Sequence, residues 1–316
     1  VFGSKQPQVE SFKYFKMKPE IDIRQSEKWA KYLEMLGWGS HRTSGGINIY
    51  FHKTFLGTVI KIQKPVGIEM EDVKEIEDFC LKLKPLFIKI EPFIGQDVSV
   101  LEESGYLKST VPLTPPSTIY IDLTKSEEDL WDCVSHSGKY SIKRAQREGT
   151  VTRFYQNPLK DKMEKYFEVV RETGKRKKFY VQPMADFENK VKIFGKECHL
   201  VLSYDDDGNL LSGKFYLCHG DMVLYSTGGT SERGLKTKAG YELLWKSILY
   251  FKGLGYKVLD LEGRDDRRFK DATKEWGGFS HFKEKFGGEN IEFPHPYIKY
   301  FNPVLRLFSK FMSLPL

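Results

Sequence analysis

The chain has 316 residues, 40% hydrophobic and 14% aromatic, enough to bury a sizeable core and to form two domains or one duplicated unit. Its net charge of +7, from 50 basic and 43 acidic residues, admits a polyanionic partner and becomes informative only where bases cluster. Cys80, Cys133, Cys198 and Cys218 form no C-x-x-C, which argues against a disulfide framework or a zinc ribbon and fits a reducing cytoplasm.

No run approaches the roughly 18 apolar residues of a membrane span, and the N-terminal region holds no apolar signal-peptide core, so a non-secreted, cytoplasmic protein is expected. The opening VFGSKQP lacks an initiator Met and is set outside the fold. In SEKWAKYLEMLG, Trp29, Leu33 and Leu36 share one helical face, with Gly37 as the stop. INIYF (47 to 51) and FLGTVIKI (55 to 62) read as a hairpin. EMEDVKEIEDFCLKLK (69 to 84) repeats Val73, Ile76, Phe79, Cys80 and Leu83 at helical spacing, and LFIKI (86 to 90) reads as a buried strand.

The proline-marked TPPST (114 to 118) is a natural joint, after which SEEDLWDCV (126 to 134), GKYSIKRAQREG (138 to 149) and PLKDKMEKYFEVVRETGKR (158 to 176) predict a mostly helical insert. HLVLSY (199 to 204) and LLSGKFYL (210 to 217) then flank the turn sequence DDDGN, and MVLYSTGG (222 to 229) adds a strand. KAGYELLWKSILYFKGLG (238 to 255) predicts a helix with Tyr241, Leu244, Trp245 and Ile248 on one face, followed by the strand KVLDL (257 to 261). Hairpin, helix, strand thus occurs twice, the mark of a duplicated α+β unit. The expected division is 1–115, completed by 295–316, and 116–294 with the helical insert.

Three constellations could carry chemistry. SERGLKTKAG (231 to 240) resembles a worn pyrophosphate loop of GNAT acyltransferases, with Arg233-Gly234 separated from Gly240 by Lys236 and Lys238, so a CoA cofactor is not expected. Lys139, Lys143 and Arg144 cluster on one helix, and Arg176 stands one turn before Tyr180, an arrangement suited to phosphate beside a sugar or base. The third is DLEGRDDRRFKDATKEWGGFSHFKEKFGG (260 to 288), with Arg264 and an aromatic-lysine block. No Ser-His-Asp or Cys-His order stands out, which disfavours covalent catalysis. The pairs Cys198-His199 and Cys218-His219 sit on predicted strands, where adjacent side chains face opposite ways, so no metal site is expected.

The succession QSEKWAKYLEMLGW, PPSTIYIDL through IKRAQREG, RETGKRKKFY, LYSTGGTS, YFKGLGY, DLEG and GGFSHFKEKFGG resembles the Fem family of aminoacyl-tRNA-dependent transferases, which build the interpeptide bridges of peptidoglycan. The resemblance implies two GNAT-like subdomains, each a mixed sheet flanked by helices, with no CoA. It implies aminoacyl-tRNA as donor and the stem-peptide amine of a UDP-linked or lipid-linked muropeptide as acceptor. Lys283 takes the family's Phe-Lys position as the cation for the tetrahedral oxyanion, with Phe282 beside it. Arg176, Tyr180 and Tyr225 match acceptor contacts, and Glu91 stands where relatives often carry Asp before Pro. Relatives often have a first-helix Lys at about Leu33; the nearest candidate is Lys31. Lys139, Lys143, Arg144 and Arg264 are left for tRNA phosphates.

In PVLRLFSKFMSLPL, Phe301, Val304, Leu305, Phe308, Phe311 and Met312 form an apolar helical face, expected to pack on the first subdomain, with a peripheral membrane contact through 301–312 as the alternative. The expected protein is a monomeric, cofactor-free aminoacyltransferase. Its rivals are an acyl-CoA-dependent GNAT acyltransferase and an RNA-binding adaptor without catalysis.

Overall fold

The structure, a computed structural model, describes residues 21–308. Helix α1 (Glu27–Met35) starts at Ser26, whose hydroxyl accepts the Trp29 N–H, and it buries Tyr32 and Leu33. Strands β1 (Gly39–Arg42), β2 (Asn48–Thr54) and β3 (Gly57–Gln63) run antiparallel. Helix α2 (Met70–Leu81) buries Val73, Ile76 and Cys80 at helical spacing and returns the chain so that β4 (Pro85–Glu91) lies parallel to β3. Helix α3 (Ser99–Glu103) and β5 (Leu107–Lys108) follow.

Strand β6 (Ser117–Asp122) opens the second sheet, and α4 (Glu127–Cys133), α5 (His136–Arg147), β7 (Val151–Gln156), α6 (Lys160–Lys177) and α7 (Met184–Phe194) come next. The meander β8 (Cys198–Tyr204), β9 (Leu210–His219) and β10 (Met222–Thr230) leads through α8 (Glu232–Thr237) and α9 (Ala239–Gly253) to β11 (Val258–Asp260), parallel to β10. Then come α10 (Lys270–Thr273), α11 (Gly277–Glu284), β12 (Glu289–Glu292), β13 (Tyr297–Tyr300) and α12 (Pro303–Phe308).

The sheet orders are β1-β2-β3-β4-β13-β5 and β12-β6-β11-β10-β9-β8-β7. The duplicated unit is visible in both: β2-β3-α2-β4 matches β9-β10-α9-β11, and the last strand is parallel to its neighbour each time. An antiparallel strand continues each sheet, β13 beside β4 and β6 beside β11. Strand β13 comes from late in the sequence and completes the first sheet between β4 and β5.

Helices α5 and α9 cover one face of the second sheet, burying Ile142, Leu243, Leu244, Ile248 and Phe251 against Ile119, Ile121 and Leu259. The other face takes α6 and α7, and also Tyr32 and Leu33 of α1, so the first helix packs onto the second unit. The insert is less helical than expected. It contains β7, whose six residues pair along β8, because an exposed edge of the meander supplies the ladder that a short alternating run cannot supply alone. Helix α7 is a further element beyond those expected, although Phe187, Lys190 and Phe194 are buried at its helical spacing.

The late apolar face departs from expectation too. Phe301 packs on the first core, but α12 leaves Val304 and Phe308 exposed. Phe311 and Met312 lie outside the described residues.

Candidate functional site

Among the described residues the site gathers where β11 and β10 approach α11. The HFKEKFGG segment begins within α11 and ends in a turn with Gly287 at φ +73° and Gly288 at φ +95°. A Cβ at Gly288 would come within 2.6 Å of the Tyr120 carbonyl, so glycine lets the turn press against β6. That anchor sets the rotation of α11 and turns Lys283 inward, where it is 6% exposed.

The Lys283 ammonium donates to the carbonyls of Glu262 and of Gly263, the latter at 2.8 Å. An ammonium has three donors, and the third has no protein acceptor among the described residues. Its nitrogen lies 4.5 Å from the Phe279 ring centroid and 5.5 Å from that of Tyr225. Burial pushes this amine down to about 7, against the pull of Glu262 and Asp260 and with a push from Lys214. Phe282 packs edge-on against Tyr241 and Phe286, and its ring centroid lies 4.9 Å from the Lys214 nitrogen.

Tyr225 reaches the same place because β10 bulges between Tyr225 and Thr227, and because residue 228 has no side chain. A Cβ at Gly228 would stand 2.2 Å from the Tyr225 hydroxyl. That hydroxyl accepts a 2.9 Å hydrogen bond from Lys214 on β9.

Behind Lys283 a band of buried charge crosses from one sheet to the other. Glu262 has φ +43°, a left-handed conformation that a non-glycine residue holds only at a cost, and its N–H donates to Asp260. Burial, then Glu262, pushes the Asp260 carboxyl up to about 7, and the Thr118 hydroxyl donates to it. The Glu262 carboxylate takes the guanidinium of Arg24, which also holds Asp22 at 3.0 Å. Burial works against the Arg24 charge, but Asp22, Glu262 and Asp260 outweigh it and hold the group protonated. Lys64, pushed down to about 8 by burial against the pull of Glu91, lies 3.5 Å from the Phe293 ring centroid. Glu91 is 2% exposed and accepts the N–H groups of Leu113, at 2.5 Å, and Thr114, at 3.1 Å, which ties β4 to the joint.

The structure thus brings Lys283, Phe282 and Tyr225 together and sets Glu91 at the other end of the charged band. Arg176, at the end of α6, donates to the Thr230 carbonyl at 2.6 Å and pairs with Glu172, which fixes it at the far end of the strand that carries Tyr225. Tyr180 is 81% exposed and Lys31 lies on the exposed face of α1, both outside this buried group. The cation that the first segment delivers is Arg24. Arg264 pairs with Glu284 of α11 at 3.6 Å. On α5, Lys139 and Lys143 lie 5.6 and 5.9 Å from the ring of Trp131 on α4, Lys139 also meets Asp132 of α4, and Arg144 meets Glu148.

The segment from Ser231 to Gly240 forms α8 and the start of α9, with the Ser231 hydroxyl taking the Gly234 N–H and Arg233 paired to Asp205 at 3.0 Å. Cys198 and Cys218 are buried and His199 bonds Tyr250; among the described residues no cluster of three candidate ligands could hold a metal. No described helix is long and apolar enough to cross a membrane.

Sequence reasoning missed Lys214, Arg24, Asp260 and Glu262 as site groups. Lys214 carried a signal: a single lysine inside the otherwise apolar strand run LLSGKFYL. Arg24 carried none, since its partner is 238 residues away.

Residues 107–206 match the FemAB family. Among curated proteins no sequence matches. The crystal structure of FemX is similar over 91% of this chain and 94% of that one, with a TM-score of 0.76 and 16% identity. The C-terminal domain of a putative lysylphosphatidylglycerol synthetase from Agrobacterium fabrum is similar over 93% of this chain and 94% of that one, with a TM-score of 0.61 and 13% identity. A tandem GNAT protein from the clavulanic acid biosynthesis pathway is similar over 83% and 82%, with a TM-score of 0.50 and 11% identity. The FemAB match thus covers residues 107–206, and the fold around that segment is similar to that of FemX.

Proposed function

We propose that the protein is an aminoacyltransferase that moves an amino acid from aminoacyl-tRNA to the stem-peptide amine of a peptidoglycan precursor, and that Lys283 stabilises the tetrahedral oxyanion. The observation that carries this reading is a buried ammonium with two donors fixed on main-chain carbonyls and a third uncommitted, beside an aromatic wall. The match of residues 107–206 to the FemAB family supports the reaction class.

The chemistry asks little more of the protein. An aminoacyl ester is already activated, so the acceptor amine attacks its carbonyl carbon, the bond to the ribose oxygen breaks, and the amine proton leaves with the departing hydroxyl. Alignment of the two reactants and a fixed positive charge at the developing oxyanion are the principal requirements. In this reading Arg176 and Tyr225 contact the acceptor, Arg264 with Lys139, Lys143 and Arg144 meets tRNA phosphates, and the chain divides into 1–115 with 295–316 and 116–294.

The test offers purified protein a mixed pool of charged tRNAs with a labelled muropeptide precursor and weighs the product by mass spectrometry. The expected result is an increment of one amino acid. Turnover of an acyl-CoA thioester without tRNA would instead identify a GNAT-type acyltransferase, and no turnover with either donor would leave an RNA-binding adaptor.

A further inference from the structure

The aminoacyl-transfer reading leaves Lys214 without an assigned role. It lies within β9, 3% exposed, and the only hydrogen-bond partner of its nitrogen among the described residues is the Tyr225 hydroxyl. The nitrogen is 4.6 Å from the Tyr225 ring centroid and 4.9 Å from that of Phe282. Other buried cations feel acidic groups: Arg24 has Asp22 and Glu262, Lys283 has Glu262 and Asp260, Lys190 has Glu262 and Asp186, and Lys64 and Lys89 have Glu91. Lys214 has no such partner: burial pushes it down to about 7, and the mutual repulsion with Lys283 works in the same direction.

An apolar side chain of similar length would fill this space without desolvating an amine, and one neutral hydrogen bond with two ring contacts offsets that cost less fully than a carboxylate would. The neighbouring hydroxyl is suited to share its load. Burial pushes the Tyr225 hydroxyl up, so it keeps its proton, and since it accepts from Lys214 that proton is free for another acceptor. Gly228 makes this placement possible by leaving the hydroxyl room.

We propose that Lys214 and the Tyr225 hydroxyl form a seat for an anionic oxygen brought by the substrate, next to Lys283 on the shared Tyr225 ring. The proposal rests on the aminoacyl-transfer reading. It supplies Lys214 with the counter-charge that the protein withholds. The anion comes either from a carboxylate of the acceptor peptide, present in the ground state, or from the oxyanion of the tetrahedral intermediate, present only during reaction.

The experiment compares wild type with Lys214→Met and Tyr225→Phe. Removing an uncompensated buried amine is expected to raise the melting temperature of Lys214→Met while lowering transfer at least tenfold, a pairing that a structural lysine would not give. A rise in KM for the muropeptide at unchanged kcat would assign the anion to an acceptor carboxylate. A fall in kcat at unchanged KM would assign it to the oxyanion. Tyr225→Phe is expected to change the same parameter by less.

A second arm needs no turnover and therefore stands even if the wild type transfers nothing. Sodium acetate, compared with chloride at equal ionic strength, should raise the wild-type melting temperature more than that of Lys214→Met. A lower melting temperature in Lys214→Met, transfer within twofold of wild type, or equal acetate shifts in both proteins would overturn the proposal.

Discussion

Replacing Lys283 with Met removes the ammonium while keeping most of the side-chain volume, and the size of the expected loss comes from the geometry. Two of the three N–H donors stay on Glu262 and Gly263, so one charged donor faces the reaction. At about 3 Å and an effective dielectric near 20, a full unit charge there contributes up to about 5 kcal/mol, and removal of a single oxyanion donor ordinarily costs about 100-fold or more. A pKa of about 7 means roughly half the molecules hold the ammonium at pH 7, which lowers the wild-type rate about twofold. Lys283→Met is therefore expected to slow transfer at least about 100-fold. The assay is transfer of labelled amino acid from charged tRNA to muropeptide under single-turnover conditions, with circular dichroism confirming the fold. The sign of the pH dependence is fixed as well: the ammonium is the competent form and is lost as pH rises through about 7. The kcat/KM profile, which reports the free enzyme, should fall above that pH, and less steeply in Lys283→Arg, whose guanidinium keeps its proton. Glu262 and Asp260 face Lys283 and pull the limb upward, while Lys214 pushes it down. Transfer by folded Lys283→Met within threefold of wild type would refute the oxyanion role.

Arg24→Leu strands Asp22 and Glu262 in a buried band, so unfolding in urea should show a loss of about 3 kcal/mol, with stability near that of wild type counting against the band as a tie between the sheets. Gly228→Ala places a methyl group against the Tyr225 hydroxyl, the mobile end of a side chain rather than backbone. It should reduce transfer to the level of Tyr225→Phe while the melting temperature stays within a few degrees. Reversing charge at Lys139, Lys143 and Arg144 should raise KM for aminoacyl-tRNA at unchanged kcat. It should also flatten the dependence of log K on log salt by about 2 to 3, as expected when three phosphate contacts are lost.

The duplicated unit is legible because hydrophobic periodicity reports which face of an element is buried, and α2, α9 and the hairpins carry strong patterns. Strand β7 is not, because a short edge strand takes its identity from the neighbour it pairs with, and no single segment encodes that neighbour. The same limit divides the site. Lys283 stands out through its flanking phenylalanines and the glycine turn, and those local features do place it inward. Arg24 is invisible because its role is an ion pair formed across the whole chain. Lys214 is visible as an oddity, yet a lone lysine in a strand more often ends at the surface, and nothing local to LLSGKFYL says that both faces of β9 are covered.

The two halves leave their equivalent parallel strands in nearly the same words, Ile90-Glu91-Pro92 and Leu261-Glu262-Gly263, and the residue after the glutamate decides what each half can do. Proline holds φ near −65°, so the first half cannot adopt a left-handed exit. Its glutamate stays in β4 and accepts N–H groups from Leu113 and Thr114. Glycine permits φ +78° at residue 263, and with Glu262 at φ +43° the backbone turns so that two successive carbonyls converge on one nitrogen. That pair of carbonyls holds Lys283, and the glutamate side chain, released from the strand, is free to take Arg24. The ammonium seat therefore belongs to the second half for a backbone reason. A proline at position 263 would remove the seat even with Lys283 in place, whereas glycine at position 92 would not create one in the absence of a lysine opposite it.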